Sequence, residues 1–350
     1  MKIAQIAPLA EAVPPRLYGG TERIVSYLTE QLVRDGHEVT LFASGDSRTS
    51  AELVSGWPTA LRLDPGVRDS VPYTLMMLDE VRRRAEEFDV LHFHIDLMHF
   101  PLFRDIAART VTTLHGRLDL PDLRPFYGKF PEFPLVSISN DQRRPLPGAG
   151  WLATVYHGLP VDLLHPSRRP AGGYLAFLGR ISPEKRPDLA IEIARRVGLP
   201  IKLSAKVDAV DRDYFESRIK PLLDLPGVEF VGEIGEAQKG EFLGNAAALL
   251  FPIDWPEPFG LVMIEAMACG TPVIAFRRGS VPEVLEDGVT GYVVDGVGEA
   301  VRAIDRLDRL DRTAIRRRFE QRFSAARMTR DYVALYESLT AVAAKDRRVA

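Results

Sequence analysis

Two glutamates, Glu257 and Glu265, stand in the run Asp254-Trp-Pro-Glu-Pro-Phe-Gly-Leu-Val-Met-Ile-Glu-Ala-Met-Ala-Cys-Gly-Thr-Pro-Val. Pro258 suits a first helical turn, which leaves the amides of Gly260, Leu261 and Val262 without partners inside the helix. Such an end, carrying the positive pole of the helix dipole, binds anions, and a glycine lets a phosphate approach the backbone. A carboxylate on either side suits a ligand with hydroxyls flanking its phosphates, because carboxylates accept from O–H groups. The plainer alternative is a capped helix with two surface acids. A second run, Phe177-Leu-Gly-Arg-Ile-Ser-Pro-Glu-Lys-Arg186, sets Arg180 at a strand end and Lys185 near a following helix. A forked guanidinium and an ammonium together suit one diphosphate. As surface charges they would instead pair with Glu184 or Asp188.

Weaker signals sit in the first half. Gly19-Gly20 follows the first strand and precedes a helix, the phosphate-loop position of an α/β unit, although a turn needs glycine too. His92, His94 and Asp96 alternate, so they share one face if the strand continues that far. His115 closes another strand, where a crevice-facing and a structural histidine weigh equally. Cys269 is the single cysteine, which excludes an intramolecular disulfide and any multi-cysteine metal site and fits a reducing compartment, hence cytoplasm.

The elements that must carry these residues alternate in type. Strands are expected at 2–7, 38–43, 89–93, 110–114 and 135–138, with helices opened by Thr21 and running from 74 to 88. After the linker-like His165-Pro-Ser-Arg-Arg-Pro170, strands follow at 174–178, 201–205, 228–231, 248–251, 272–275 and 291–294, and Ser182-Pro183 opens a helix. Two parallel, doubly wound α/β domains result, and in such sheets ligands lie off the carboxyl ends of the strands. The last stretch, from Phe323, is amphipathic, with Met328, Tyr332, Leu335 and Leu339 near one stripe.

The Glu-x7-Glu run and the Gly-Arg-x4-Lys element resemble the signatures of the retaining glycosyltransferases of family 4. That resemblance implies the GT-B fold: two facing Rossmann-like domains with a crevice between them and a C-terminal helix crossing back. The implied domains are 1–165 on the acceptor side, 166–323 for the nucleotide-sugar donor, and 324–350 as the returning helix. It implies that Glu257 contacts sugar hydroxyls, Glu265 the ribose, and the amides of Phe259, Gly260, Leu261 and Val262 the pyrophosphate. Arg180 and Lys185 would grip the donor phosphates, with Gly19 and Gly20 against donor phosphate and sugar. Ile234, in Val231-Gly-Glu-Ile-Gly-Glu236, matches a loop that holds the nucleobase. His115 would support the transferred sugar and His94 the acceptor side, so the catalytic set is His115, Arg180, Lys185 and Glu257. One departure is Ala205-Lys206, where relatives often carry a glycine-rich turn. The expected reaction is retaining, metal-independent transfer to a hydroxyl acceptor, with UDP-glucose first and GDP-mannose second as donor and no resident cofactor. The alternatives are a GT-B phosphorylase or nucleotide-sugar epimerase, and a non-catalytic nucleotide-sugar-binding protein.

Composition narrows the field further. At about 150 residues per domain, 350 residues make two or three domains, and 46% apolar with 27% charged residues is a globular composition. The net charge is −3 and neither half has a marked positive excess, which argues against a general nucleic-acid surface. Arg82-Arg83-Arg84 and Arg316-Arg317-Arg318 read as solvated helix faces. No run approaches the roughly 20 apolar residues of a membrane span, and no hydrophobic basic helix is present, which leans against a membrane acceptor. His-x-His-x-Asp also opens the zinc site of metallo-β-lactamase-type hydrolases, but Leu97 stands where a histidine should follow, so no metal site is expected.

Overall fold

The computed structural model describes residues 1–16, 19–167 and 173–349, so Arg168, Arg169 and Pro170 of the expected linker lie outside the described residues. The chain divides into two units, one formed by residues 1–158 together with the chain from Ala325 onward, the other by Leu159–Ser324. The change of unit therefore comes at Gly158, ahead of the 165 expected.

In the first unit seven strands, β1 (Lys2–Ile6), β2 (Glu38–Ser44), β3 (Glu52–Trp57), β4 (Val90–Phe93), β5 (Thr110–Thr113), β6 (Leu135–Ser137) and β7 (Trp151–Thr154), form one parallel sheet. Their order is β3-β2-β1-β4-β5-β6-β7. The second unit holds β8 (Leu175–Arg180), β9 (Ile201–Lys206), β10 (Val228–Gly232), β11 (Ala248–Phe251), β12 (Val273–Phe276) and β13 (Gly291–Val294). These six are also parallel, in the order β10-β9-β8-β11-β12-β13. Central strands such as β4, β11 and β12 are buried along their whole length, as doubly covered strands must be. Each order reverses once, between β1 and β4 and between β8 and β11. At such a switch point neighbouring strands send their connections to opposite faces and leave a recess at their carboxyl ends.

Several local expectations are corrected. The edge strands β3 and β7 have no counterpart in the sequence reading; their residues are only partly buried and lack the apolar run that marks a central strand. The first helix, Gly20–Arg34, begins ahead of Thr21 with Gly19 as its N-cap. Ser182-Pro183 closes a single turn through Lys185 N–H and Arg186 N–H to the Ser182 carbonyl, and the helix starts only at Pro187. Arg186, at φ +51°, is what separates the two. β4 stops at Phe93 and Asp96 adopts φ +56°, so Asp96 leaves the face that carries His92 and His94.

The terminal helix, Ala325–Val349, belongs to the first unit. Its buried stripe is Met328, Thr329, Tyr332 and Tyr336; the expected Leu335 and Leu339 are only partly covered. The arginine runs are not simple solvated faces. Arg84 lies over the rings of Phe42 and Phe88, and Arg316 donates to the carbonyls of Leu164, Ala268 and Val161. An arginine so used ties three chain segments together through their backbone carbonyls. Among the described residues, no helix is long and apolar enough to cross a membrane.

Candidate functional site

In the second unit the switch point gathers the two informative runs. β8 delivers Arg180 at its last position, and β11 leads through residues 252–260 into the motif helix, Leu261–Ala268. The two loops are tied together where Asp254 N–H donates to the Glu184 carbonyl at 2.8 Å. Gly260 is the N-cap at φ +78°, and a Cβ there would fall 2.8 Å from Met263 Cε. That left-handed conformation favours glycine, and a side chain there would also have to displace Met263. Pro258 therefore lies ahead of the helix, not in its first turn, and the free amides of the helix start begin at Leu261, with Val262 next. Phe259 is buried and its carbonyl accepts from Ser280 Oγ. Gly279, φ +52°, packs directly on this loop: a Cβ would sit 2.3 Å from the Glu257 nitrogen. The sequence reading passed over Gly279 because its partner lies on another loop.

Lys185 Nζ donates to Glu257 Oε2, and Trp255 Nε1 donates to the same oxygen at 2.9 Å. The ammonium also lies 5.3 Å from the Trp255 ring centre and 5.4 Å from that of Phe251. Trp255 is thus a site residue that the sequence reading left out, although it stands two residues from Glu257. Arg180 is placed differently. Glu184, Asp208 and Asp211 stand 3.6 to 3.8 Å from its guanidinium, yet among the described residues it makes no side-chain hydrogen bond, and its buried Nε has only the 3.6 Å ion pair with Asp211. The alternative pairing with Glu184 is therefore present only as a long contact, while Asp188 pairs with Arg186. Burial raises the Asp211 carboxyl above its ordinary range, against the pull of Arg180. Asp208 and Asp211 follow β9, whose last two residues, Ala205-Lys206, depart from the family pattern. Glu265 is buried within the motif helix and accepts from Lys239 Nζ at 2.6 Å. Ile234 is buried in the loop between β10 and the helix Glu236–Gly244 that carries Lys239.

In the first unit Gly19 and Gly20 form the start of the first helix, next to β1 in the chain, and β4 and β5 lead to His94 and His115. His94 Nδ1 and His115 Nε2 are 2.9 Å apart, and His94 Nε2 meets Gln5 Oε1 at 2.8 Å. His94 thus has both nitrogens occupied and is 2% exposed, next to His115. His115 is partly exposed and stacks on His157; burial lowers its pKa to about 3. Among the described residues, no three His, Cys, Asp or Glu side chains are placed to hold a metal ion.

A family model described as Glycosyltransferase Family 4 matches residues 18–154, and one described as Glycosyl transferases group 1 matches residues 168–322. The D-inositol 3-phosphate glycosyltransferase of Mycolicibacterium smegmatis is 30% identical over 337 residues, covering 79% of this chain and 75% of that protein. This chain belongs to glycosyltransferase family 4. The enzyme of the same name from Frankia alni is 29% identical over 357 residues, covering 83% of this chain and 86% of its own. Among solved structures, sucrose-phosphate synthase from Thermosynechococcus elongatus matches with a TM-score of 0.80 at 20% identity, over 97% of this chain and 99% of that one. Anabaena HepE in complex with UDP and glucose matches with a TM-score of 0.74 at 20% identity, over 97% and 100%. The glycosyltransferase thus has the GT-B fold, and it is a hexosyltransferase by its family.

Proposed function

We propose that this glycosyltransferase moves a hexose from a nucleoside diphosphate sugar to a hydroxyl acceptor with retention of the anomeric configuration, without a metal ion. The observation that carries the reading is the convergence, at the carboxyl ends of β8 and β11, of an unbonded guanidinium, an ammonium and a glycine-capped helix start. Arg180, Lys185 and the amides of Phe259, Gly260, Leu261 and Val262 take the diphosphate. They stabilise the charge that grows on it as the bond from the anomeric carbon to its oxygen breaks, the task a metal would otherwise perform. Glu257, bridged to Lys185, accepts from a sugar hydroxyl; Glu265 accepts from the ribose in exchange for one contact with Lys239; Ile234 lines the base. In the first unit His115 accepts from a sugar hydroxyl, and Gly19 and Gly20 are the residues proposed for donor phosphate and sugar.

No carboxylate is assigned as nucleophile. The acceptor oxygen attacks the anomeric carbon from the face the diphosphate leaves, and its proton passes to the departing phosphate oxygen. UDP-glucose is the first donor, a choice supported by HepE, whose structures hold UDP with glucose, and GDP-mannose the second. Inositol 3-phosphate heads the acceptor panel because the relatives bear its name. The test incubates the enzyme with each donor and a panel of polyol phosphates, sugars and inorganic phosphate, reading released nucleoside diphosphate and the anomeric proton of the product. Retained configuration on a hydroxyl product is expected. An inverted product, or turnover only with inorganic phosphate as acceptor, would overturn the proposal.

A further inference from the structure

Behind His115 runs a buried chain of polar groups that no catalytic step has used. Gln5 on β1, His92 on β4 and Thr113 on β5 are wholly buried, as are Tyr332 and Tyr336 on the terminal helix. Tyr332 Oη lies 2.9 Å from Thr113 Oγ1, which lies 2.7 Å from His92 Nε2. His92 Nδ1 is 2.7 Å from Tyr336 Oη, and Gln5 Nε2 donates to that oxygen at 3.2 Å. Gln5 Oε1 then meets His94 Nε2, and His94 Nδ1 meets His115 Nε2. None of these partners is a carboxylate, so nothing in the chain compensates an imidazolium and each histidine carries a single N–H. Burial lowers the pKa of all three, in the same sense.

A chain of neutral imidazoles must run in one direction. Gln5 Oε1 can only accept, so His94 Nε2 bears the hydrogen and His94 Nδ1 is an acceptor. His115 Nε2 must then donate to it, which leaves His115 Nδ1 as a bare lone pair. On the other side the Gln5 amide donates to Tyr336, whose hydroxyl donates to His92 Nδ1, and His92 Nε2–H donates to Thr113. Turning the Gln5 amide over would reverse every bond and make His115 Nδ1 a donor. His115 Nδ1 is shielded from solvent and has no partner, a costly state for a polar atom unless a ligand completes it.

We propose that Gln5, whose amide has both Tyr336 Oη and His92 Nδ1 within reach, is a positioning residue that fixes His115 as the Nε2–H tautomer, so that Nδ1 accepts a hydrogen bond from a hydroxyl of the bound sugar. The ligand half rests on the proposed function; the tautomer half does not. Long-range 1H–15N spectra of the 15N-histidine-labelled full chain, without ligand, read the tautomer directly. Wild type should show His115 with a pyrrole-type Nε2 and a pyridine-type Nδ1. Tyr336→Phe should keep that pattern, because the Gln5 amide can donate instead to His92 Nδ1, 3.5 Å away. Gln5→Leu, which removes the polarity, should give averaged His115 shifts and, from a lost hydrogen bond, a roughly fivefold to tenfold rise in donor KM with kcat changed less. A protonated Nδ1 in wild type, or an unaltered tautomer in a folded Gln5→Leu variant, would overturn the inference while leaving the proposed function standing. A wild-type Nε2–H tautomer with Nδ1 shifts unmoved by UDP-glucose or GDP-mannose would overturn the ligand half.

Discussion

Residue by residue, the second unit separates two kinds of work that one ligand would need. In the proposed reading Arg180 and Lys185 are the cations for the phosphates, whereas Glu265, held by Lys239, is the acceptor for hydroxyls. Their loss should therefore read differently. Glu265→Gln should weaken UDP binding about tenfold, the scale of a hydrogen bond to a charged group, yet leave inorganic pyrophosphate binding unchanged. Titration calorimetry with both ligands checks this; equal losses for the two would remove the ribose assignment. The same variant leaves Lys239 without its nearest carboxylate in a largely buried place, so a loss of stability of a few kcal/mol should accompany it. The two glutamates were legible in the sequence because their motif is contiguous. Trp255 stood in that motif but carries no spacing rule of its own. Gln5 and Tyr336 meet across 331 positions of chain, and no local pattern announces such a pair.

Among the elements, the decisive one is the motif helix and its glycine cap. Gly260→Ala forces alanine into the left-handed region and presses on Met263 and Phe251, both within 3.2 Å of the added carbon. A cost of about 1–3 kcal/mol follows, and because the first-turn amides move with the cap, nucleoside diphosphate affinity should fall as well. Chemical denaturation and a UDP titration on the same variant check both halves; loss of stability with intact affinity would detach the cap from ligand binding. The alternation of apolar strands and amphipathic helices was readable because central strands are buried on both faces. Starts of helices were not, since backbone geometry at Gly19, Arg186 and Gly260 sets them, and each was expected a few residues away. Edge strands β3 and β7 escaped for the opposite reason: solvent relaxes their composition.

For the molecule as a whole, four buried histidines, His92, His94, His99 and His157, have pKa values held well below the ordinary one, chiefly by burial. The unfolded chain binds protons on them near pH 6.5 while the native protein does not, so stability is full above that pH and falls as pH drops through it. Between pH 7.5 and 5.5 each should cost about 1.4 kcal/mol. Asp96, raised to about 6 by burial, opposes this weakly. The urea midpoint should therefore be clearly lower at pH 5.5 than at pH 7.5; an equal or higher midpoint would mean that the histidines are charged in the native state. The central claim concerns one polyanion, and calorimetric titration of UDP and GDP into wild type, Arg180→Ala and Lys185→Ala tests it most directly. At least one nucleotide should bind the wild type at submillimolar concentration, with each variant weakened tenfold or more. Undiminished affinity in both folded variants would contradict it.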